Sequence, residues 1–190
     1  MKIGFTGAGS TGKTTTLELI KDHISIPVLP STTRQVFERW GINEDAQENM
    51  SPEDKWKLQK DIFDNRFNTE NQAGEDFISD RTLLDNYAYC KLRCYLAITE
   101  EEDNELKQKV IDNLKNYDAV FYFPMTFRPV PDGLRQANFT FLTIIDSIIF
   151  SFLSREYGNG YIVPKGTPEF RAEYVLERIR SIQTRMSFGG

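Results

Sequence analysis

Short apolar runs alternate along the chain with longer segments whose apolar residues recur at helical spacing. The apolar runs lie at residues 2–6, 26–29, 77–79, 119–123 and 160–163. Helical patterns separate them, at 13–24, in a short segment ending at Trp40, and at 51–72, 83–97, 100–116, 138–156 and 168–185. The apolar runs lack polar alternation, which is typical of parallel strands covered on both faces. The pattern therefore predicts an α/β fold in which five parallel strands are flanked by helices.

Length and charge fit a single compact unit. The chain has 190 residues, enough for one domain with a full hydrophobic core, and no repeat or low-complexity tract divides it. Its 23 basic and 28 acidic residues give a net charge of −5. That balance disfavours a nucleic-acid polymer as partner, although a local basic cleft stays open. We expect one domain over residues 1–190 with a small-molecule partner, and the sequence leaves a homo-oligomer open.

From the sequence we expect neither a secretory leader nor a membrane span. Met1 and Lys2 lead directly into the first apolar run, and the most apolar later stretch, 139–153, is short and interrupted by polar residues. The two cysteines, Cys90 and Cys94, lie four residues apart and are expected to face the core. Together with a single histidine they make no Cys/His metal cluster. These features favour a cytoplasmic protein without membrane association.

The most specific motif is Gly7-Ala8-Gly9-Ser10-Thr11-Gly12-Lys13-Thr14, which matches G-x-x-x-x-G-K-[ST] between a predicted strand and a predicted helix. Its glycines let the backbone turn tightly, so that N–H groups and the helix N-terminus face phosphate oxygens. Lys13 supplies a mobile charge for the β- and γ-phosphates, and the Thr14 hydroxyl can reach Mg²⁺. The residues predicted to bind ATP here are Gly7, Gly9, Ser10, Thr11, Gly12, Lys13, Thr14 and Thr15.

The phosphate loop alone does not separate kinases from switches or motors, because all of them share it. Two further segments narrow the choice. With the loop, Ser79-Asp80-Arg81 and Pro131-Asp132-Gly133-Leu134-Arg135 resemble the nucleoside and nucleotide kinase group of P-loop proteins. The closest likeness is to small AAA-type ATPase/kinase proteins, often phage-encoded, that are related to nicotinamide riboside kinases. The resemblance covers nearly the whole chain.

The resemblance implies a three-layer P-loop NTPase fold with an arginine-bearing lid at about residues 125–137. It also implies an ATP- and Mg²⁺-dependent phosphotransferase that acts on a small nucleotide-type acceptor. No Asn-Lys-x-Asp guanine motif is present in the sequence, so guanine specificity has no support.

Asp80 closes an apolar strand that lies beside the phosphate loop in such folds. A carboxylate there can hold magnesium or take a proton from an acceptor hydroxyl, and capping of the next helix by Asp80 or Thr82 is the structural alternative. The resemblance implies that Arg81 contacts the magnesium shell and the acceptor. Asp85 is a further candidate for the same cleft, with a solvated helix face as the alternative.

Further cations follow the second, fourth and fifth predicted strands. Arg34 lies after the second strand, where a bidentate contact with an acceptor phosphate or carboxylate competes with a plain surface position. Arg128 and Arg135 lie in the predicted lid, where they would neutralise the transferring group unless they are merely solvated. Lys165 and Gly166 follow the last strand, in a loop that the resemblance implies wraps the adenine of ATP.

The acceptor is less determined than the donor. A hydroxyl acceptor needs a base, yet residues 29–34 hold no acid and the nearest is Glu38. A phosphate acceptor needs cations instead, so the first hypothesis is a (deoxy)nucleoside-monophosphate kinase. Alternatives are a nucleoside or nicotinamide riboside kinase with Asp80 as base, a kinase of hydroxymethylated bases in phage DNA, and an ATP-dependent switch or assembly ATPase. Phe37 and Trp40 are aromatic candidates for stacking on the nucleobase of the acceptor.

Overall fold

The structure is a computed structural model that describes residues 1–43, 45–126, 138–158 and 160–188. Within those ranges it contains five strands and seven α-helices. The strands are β1 (Lys2–Thr6), β2 (Val28–Leu29), β3 (Phe77–Asp80), β4 (Ala119–Tyr122) and β5 (Gly160–Ile162). The helices are α1 (Lys13–Ile20), α2 (Thr33–Trp40), α3 (Pro52–Gln72), α4 (Leu83–Arg93), α5 (Glu100–Leu114), α6 (Phe139–Glu156) and α7 (Pro168–Phe188). Short 3-10 turns occur at Lys21–His23 and Asp45–Asn49.

All strand pairs are parallel, and the strands lie in the order β2-β3-β1-β4-β5. The predicted α/β fold with a five-stranded parallel sheet is thereby confirmed. The central strand β1 pairs with β3 on one side and β4 on the other, with Phe5 opposite both Asp80 and Phe121. The loops that follow these strands therefore open at the same edge of the sheet, where ligands bind in folds of this kind.

Helices cover both faces of the sheet, and β4 shows why its sequence is apolar throughout. Ala119 and Phe121 pack in one core cluster with residues of α1 and α7. Val120 and Tyr122 pack in a second cluster with residues of α4, α5 and α6. Successive side chains of a strand point to opposite faces, so a strand buried on both sides needs no polar position.

Local sequence signals set the helix starts. Ser51 caps α3 by accepting a hydrogen bond from the Asp54 amide at 3.1 Å, and Pro52 occupies the first turn. Thr99 and Glu102 form a capping box at the start of α5. The predicted start of α3 is confirmed.

The helix predicted over 83–97 ends earlier, at Arg93. Cys94 leaves the helical conformation after donating its amide to the carbonyl of Cys90 at 2.8 Å. The chain must leave the helix here because Thr99, five residues later, already begins the capping box of α5. Both cysteine side chains are buried and reduced, as expected for core positions. Of the described helices, none combines the length and apolar character needed to cross a membrane.

Candidate active site

The loop between β1 and α1 carries an unusual backbone. Gly7, Ser10 and Gly12 have positive φ angles of 141°, 61° and 86°. A side chain on Gly7 is excluded, because a Cβ there would lie 2.4 Å from the carbonyl oxygen of Phe123. Turns of this type orient successive N–H groups into a concave anion site, and α1 begins directly after it.

Lys13 folds back over this loop instead of extending into solvent. Its ammonium group donates to the carbonyl oxygens of Gly7 and Ala8, both at 2.6 Å, and to the Thr11 hydroxyl at 3.1 Å. The side chain is buried. A cation is thus held at the loop that the sequence predicts to bind phosphates.

Arg171, in the first turn of α7, braces the same loop from the other side. Its Nη1 donates to the carbonyl oxygen of Thr11 at 2.8 Å, and burial lowers the pKa of its guanidinium group. The group packs so closely on Gly12 that a Cβ there would lie 2.5 Å from Nη1. The exposed segment that holds Lys165 and Gly166 precedes α7 directly, so Arg171 connects that segment to the phosphate loop.

Asp80 lies against the start of α1. One of its carboxylate oxygens accepts a hydrogen bond from the Thr14 hydroxyl at 2.9 Å. Its other oxygen is buried and has no hydrogen-bond partner within the described ranges, and the residue as a whole is 8% exposed. A buried carboxylate oxygen without a donor is costly unless a cation or water satisfies it. A carboxylate beside a hydroxyl is also the oxygen donor set that Mg²⁺ prefers, so these two residues fit a magnesium ion.

Arg81 has a left-handed backbone, with φ at +82°. Its guanidinium carbon lies 5.8 Å from the Tyr89 ring centroid, and Nη1 lies 3.7 Å from the Asp85 carboxylate. Burial opposes the charge on this group, but Tyr89, Asp85 and Asp80 outweigh it and raise the pKa of Arg81. Arg81 is therefore a permanent cation fixed beside Asp80.

Asp85 joins the phosphate loop to α4. One carboxylate oxygen accepts from the Gly7 amide at 3.1 Å. The other accepts from the amide and the hydroxyl of Thr82, at 2.8 and 3.0 Å. These contacts form the capping box of α4, so the cap is made by Thr82 and Asp85 and not by Asp80.

Tyr89 makes a second link between α4 and the phosphate loop. Its hydroxyl accepts a hydrogen bond from the Gly9 amide at 3.1 Å. Since the same ring lies over the guanidinium group of Arg81, Tyr89 touches both the phosphate loop and the loop after β3.

A cavity of about 600 Å³ opens from the tip of the phosphate loop toward α2, α3 and α4. Its wall gathers many of the residues predicted from the sequence: Gly9, Ser10, Thr14, Arg34, Phe37, Asp80, Arg81 and Asp85. Its volume lies in the range of sites for small organic ligands.

Buried amides line the far part of this cavity. Gln59 on α3 donates to the side-chain oxygen of Gln47 at 3.0 Å, and the two residues are 4% and 2% exposed. Asn86 and Arg93 of α4 also line the wall. Arg93 lies 4.6 Å from the Phe141 ring and pairs with Glu48 at 2.6 Å. The cavity thus combines apolar, amide and cationic groups away from the phosphate loop.

A family model described as an AAA domain matches residues 2–171 of the chain. The chain belongs to this AAA-domain family. A comparison with curated proteins finds none that matches it.

Solved structures with the same fold as this AAA-domain protein include deoxyadenosine kinase from M. mycoides with products dCMP and dCDP. The TM-score is 0.72 at 17% identity, over 96% of this chain and 100% of the kinase. The NadR protein in complex with NR gives a TM-score of 0.69 at 16% identity. That match covers 95% of this chain but 51% of NadR, so the chain spans about half of NadR's length. The resemblance to P-loop kinases is confirmed at the level of the fold.

The structure of the AAA-domain protein brings together the phosphate loop, Asp80, Arg81 and the segment after β2. Thr15 is exposed on α1, and Lys165 and Gly166 are exposed and do not line the cavity. Arg128 and Arg135 lie in segment 127–137, outside the described residues, and their roles stay predictions, as does the lid itself.

The sequence does not predict several of the residues that line the cavity. Of the two aromatic candidates after Arg34, Phe37 lines the cavity, whereas the Trp40 indole donates to Asp61 at 2.8 Å. The sequence does not single out Gln47 and Gln59, because an amide in a helical pattern, such as Gln59, or in the polar segment before it, such as Gln47, has the appearance of a surface residue. Tyr89 is one of many aromatic residues, so the sequence does not distinguish it from residues of the core.

Proposed function

We propose that this protein is an ATP- and Mg²⁺-dependent kinase that phosphorylates a hydroxyl group of a nucleoside-type small molecule. One observation carries the proposal: a single cavity of about 600 Å³ is lined by the tip of the phosphate loop, by Asp80 and Arg81, and by polar groups suited to an organic ring. Donor phosphates and acceptor would thus meet at the carboxyl edge of the sheet.

On the donor side, the phosphate loop would hold the triphosphate of ATP. Lys13 would turn from its contacts with Gly7 and Ala8 toward the β- and γ-phosphates. Arg171 would keep the loop in shape by holding the Thr11 carbonyl. Thr14 and Asp80 would hold the magnesium ion, which supplies charge neutralisation at the β- and γ-phosphates when bound.

On the acceptor side, Arg81 lies beside Asp80 and would stabilise negative charge on the transferring phosphoryl group. The acceptor hydroxyl must lose a proton, and the cavity wall offers three carboxylates, Glu38, Asp80 and Asp85. Asp85 already accepts three hydrogen bonds from the protein. Glu38 and Asp80 are therefore the two candidates for the base.

The polar wall supports a nucleoside as acceptor. Gln47, Gln59 and Asn86 offer amide donors and acceptors, and Phe37 offers an aromatic face, which together suit a heterocyclic base. Two proteins with the same fold are a deoxyadenosine kinase and NadR, the latter in complex with NR, which is consistent with this proposal.

A nucleoside-monophosphate kinase is the second candidate, and Arg34 is the observation that favours it. Arg34 is exposed at the cavity wall and could pair with an acceptor phosphate. The absence of an acid in the sequence directly after β2 agrees with an acceptor that needs no base.

The test is a screen of nucleosides, nicotinamide riboside and nucleoside monophosphates with γ-labelled ATP, with Lys13→Ala as the inactive control. The proposal predicts a labelled monophosphate from at least one nucleoside and none from the control. If a labelled nucleoside diphosphate is the only product, the protein is a nucleoside-monophosphate kinase, the second candidate. Slow ADP formation that no acceptor accelerates would contradict both and favour an ATP-dependent switch.

A further inference from the structure

An ion pair lies buried between α3 and the sheet. Arg66 and Glu70, one helical turn apart on α3, pair at 2.7 Å, and their side chains are 1% and 2% exposed. Neither is among the described residues that line the cavity. A buried ion pair is weak evidence for stability, since well-packed apolar residues often serve as well, so its geometry needs another explanation.

The remaining nitrogens of Arg66 reach two different loops. Nη1 donates to the carbonyl oxygen of Pro30 at 2.9 Å, in the segment after β2. Nη2 donates to the carbonyl oxygen of Arg81 at 2.6 Å, in the segment after β3. The first segment leads to Arg34 and the second holds Asp80 and Arg81, so one guanidinium group ties together the two loops that face the acceptor.

The contact with Arg81 falls on a strained residue. Arg81 has φ at +82°, a conformation that residues other than glycine adopt rarely. Its carbonyl oxygen also accepts a hydrogen bond from the Ser79 hydroxyl at 2.5 Å. Two donors therefore hold the peptide group that follows the strained residue.

Glu70 anchors the arrangement to the rest of the fold. Its second oxygen accepts a hydrogen bond from the side-chain amide of Asn113 on α5 at 2.7 Å. Its first oxygen lies 3.4 Å from the Ser79 hydroxyl. The guanidinium group therefore cannot rotate without breaking contacts with α3, with α5 through Glu70, and with both loops.

We infer that Arg66 and Glu70 are positioning residues for phosphoryl transfer, which hold Arg81 in its left-handed conformation so that Asp80 faces Thr14 and the Arg81 guanidinium faces the cavity. The inference rests on the proposed function. Lysine at position 66 would keep the charge but cannot donate along the two fixed directions of a guanidinium group. Arg66→Lys therefore removes the directed hydrogen bonds to the two loops while it keeps the positive charge.

The experiment compares Arg66→Lys and Ser79→Ala with the wild type and with Ile149→Ala, a control that removes a buried side chain of α6. Steady-state kinetics are measured below the melting temperature of every variant. Arg66→Lys is expected to lower kcat by about tenfold or more and to raise the acceptor KM, since small displacements at a reacting centre are costly. Metal-free ATP affinity should stay within about twofold of wild type, because neither residue contacts the phosphate loop.

Ser79→Ala should change kcat and the acceptor KM in the same directions as Arg66→Lys, by a smaller factor. Ile149→Ala should lower Tm and leave kcat and the acceptor KM unchanged. The inference is overturned if Arg66→Lys lowers Tm as the control does and keeps both kinetic constants. Should Arg66→Lys not fold, Ser79→Ala decides in the same way.

A separate readout distinguishes this inference from the proposed function. If the wild type shows no turnover with any acceptor, the kinase proposal fails, and the φ angle of Arg81 is then measured by NMR in each variant. A loss of the positive φ in Arg66→Lys or Ser79→Ala supports the positioning role. An unchanged positive φ in both overturns it.

Discussion

The hydroxyl of Thr14 lies 2.9 Å from a carboxylate oxygen of Asp80. This contact follows from the sheet register, because Asp80 pairs with Phe5 and so ends β3 beside the loop that leads into α1. Two residues 66 positions apart in the sequence thus form one oxygen-rich site at the base of the phosphate loop. That site is where a cation between the β- and γ-phosphates would lie.

Asp80→Asn tests this site. The variant keeps the shape of the side chain but removes its charge, so we expect kcat to fall by about 100-fold or more and the Mg²⁺ requirement to rise. Turnover is measured as a function of Mg²⁺ concentration. Because Thr82 and Asp85 make the cap of α4, Tm should hardly change. A large loss of Tm with normal turnover would assign Asp80 a structural role instead.

Tyr89→Phe tests the link between α4 and the phosphate loop. The substitution removes only the hydroxyl that accepts from the Gly9 amide and leaves the ring beside Arg81. We expect kcat to fall by about three- to tenfold and stability by about 1 kcal/mol, the usual value of one hydrogen bond. Tyr95→Phe, at a residue that is 69% exposed, is the control and should change neither. Equal kcat in the two variants would show that the link has no role in turnover.

Gly12→Ala tests the shape of the phosphate loop. Gly12 has φ at +86° and a Cβ there would meet the Arg171 guanidinium group at 2.5 Å. We expect Mg·ATP affinity to fall by about tenfold or more, measured by calorimetry. Gly41→Ala is the matched control, with φ at +67° and nothing within 4 Å of the added Cβ. It should lose about 1–2 kcal/mol of stability from strain and bind ATP normally. Equal loss of ATP binding in both variants would contradict this account of the loop.

Arg34→Ala tests the acceptor side. Arg34 lines the cavity, whereas Arg39 on the same helix pairs with Asp61 at 2.9 Å and does not line it. We expect Arg34→Ala to raise the acceptor KM by about tenfold and to leave the ATP KM unchanged, and Arg39→Ala to change neither. An equal effect of both variants on the acceptor KM would mean that Arg34 makes no specific contact.

Much of the fold could be predicted because its signals are local. The apolar run of β1, the glycine-rich loop and the start of α1 are contiguous in the sequence. Ser51-Pro52 predicts the start of α3 from capping chemistry alone. The position of Asp80 near the phosphate loop is implied by the resemblance to P-loop kinases, because the strand that Asp80 closes lies beside that loop in such folds. The structure places Asp80 against Thr14.

The residues that support the site could not be predicted in this way. Arg66 and Glu70 are spaced as an ordinary surface ion pair of a helix, and their burial arises only when α3 packs against the ends of β2 and β3. The pairing of Gln59 with Gln47 depends on how the segment before α3 folds back on that helix. Such contacts join distant parts of the chain, which no local pattern reports.

The loop of residues 7–14 is proposed to bind the phosphates of ATP through its backbone and through Lys13. The most direct measurement is a calorimetric titration with Mg·ATP of the wild type and of Lys13→Ala, with circular dichroism to show that both are folded. We predict saturable binding to the wild type with one ATP per chain and a loss of most of that affinity in the variant. No binding heat from folded wild type, or the same affinity in both proteins, would contradict the account.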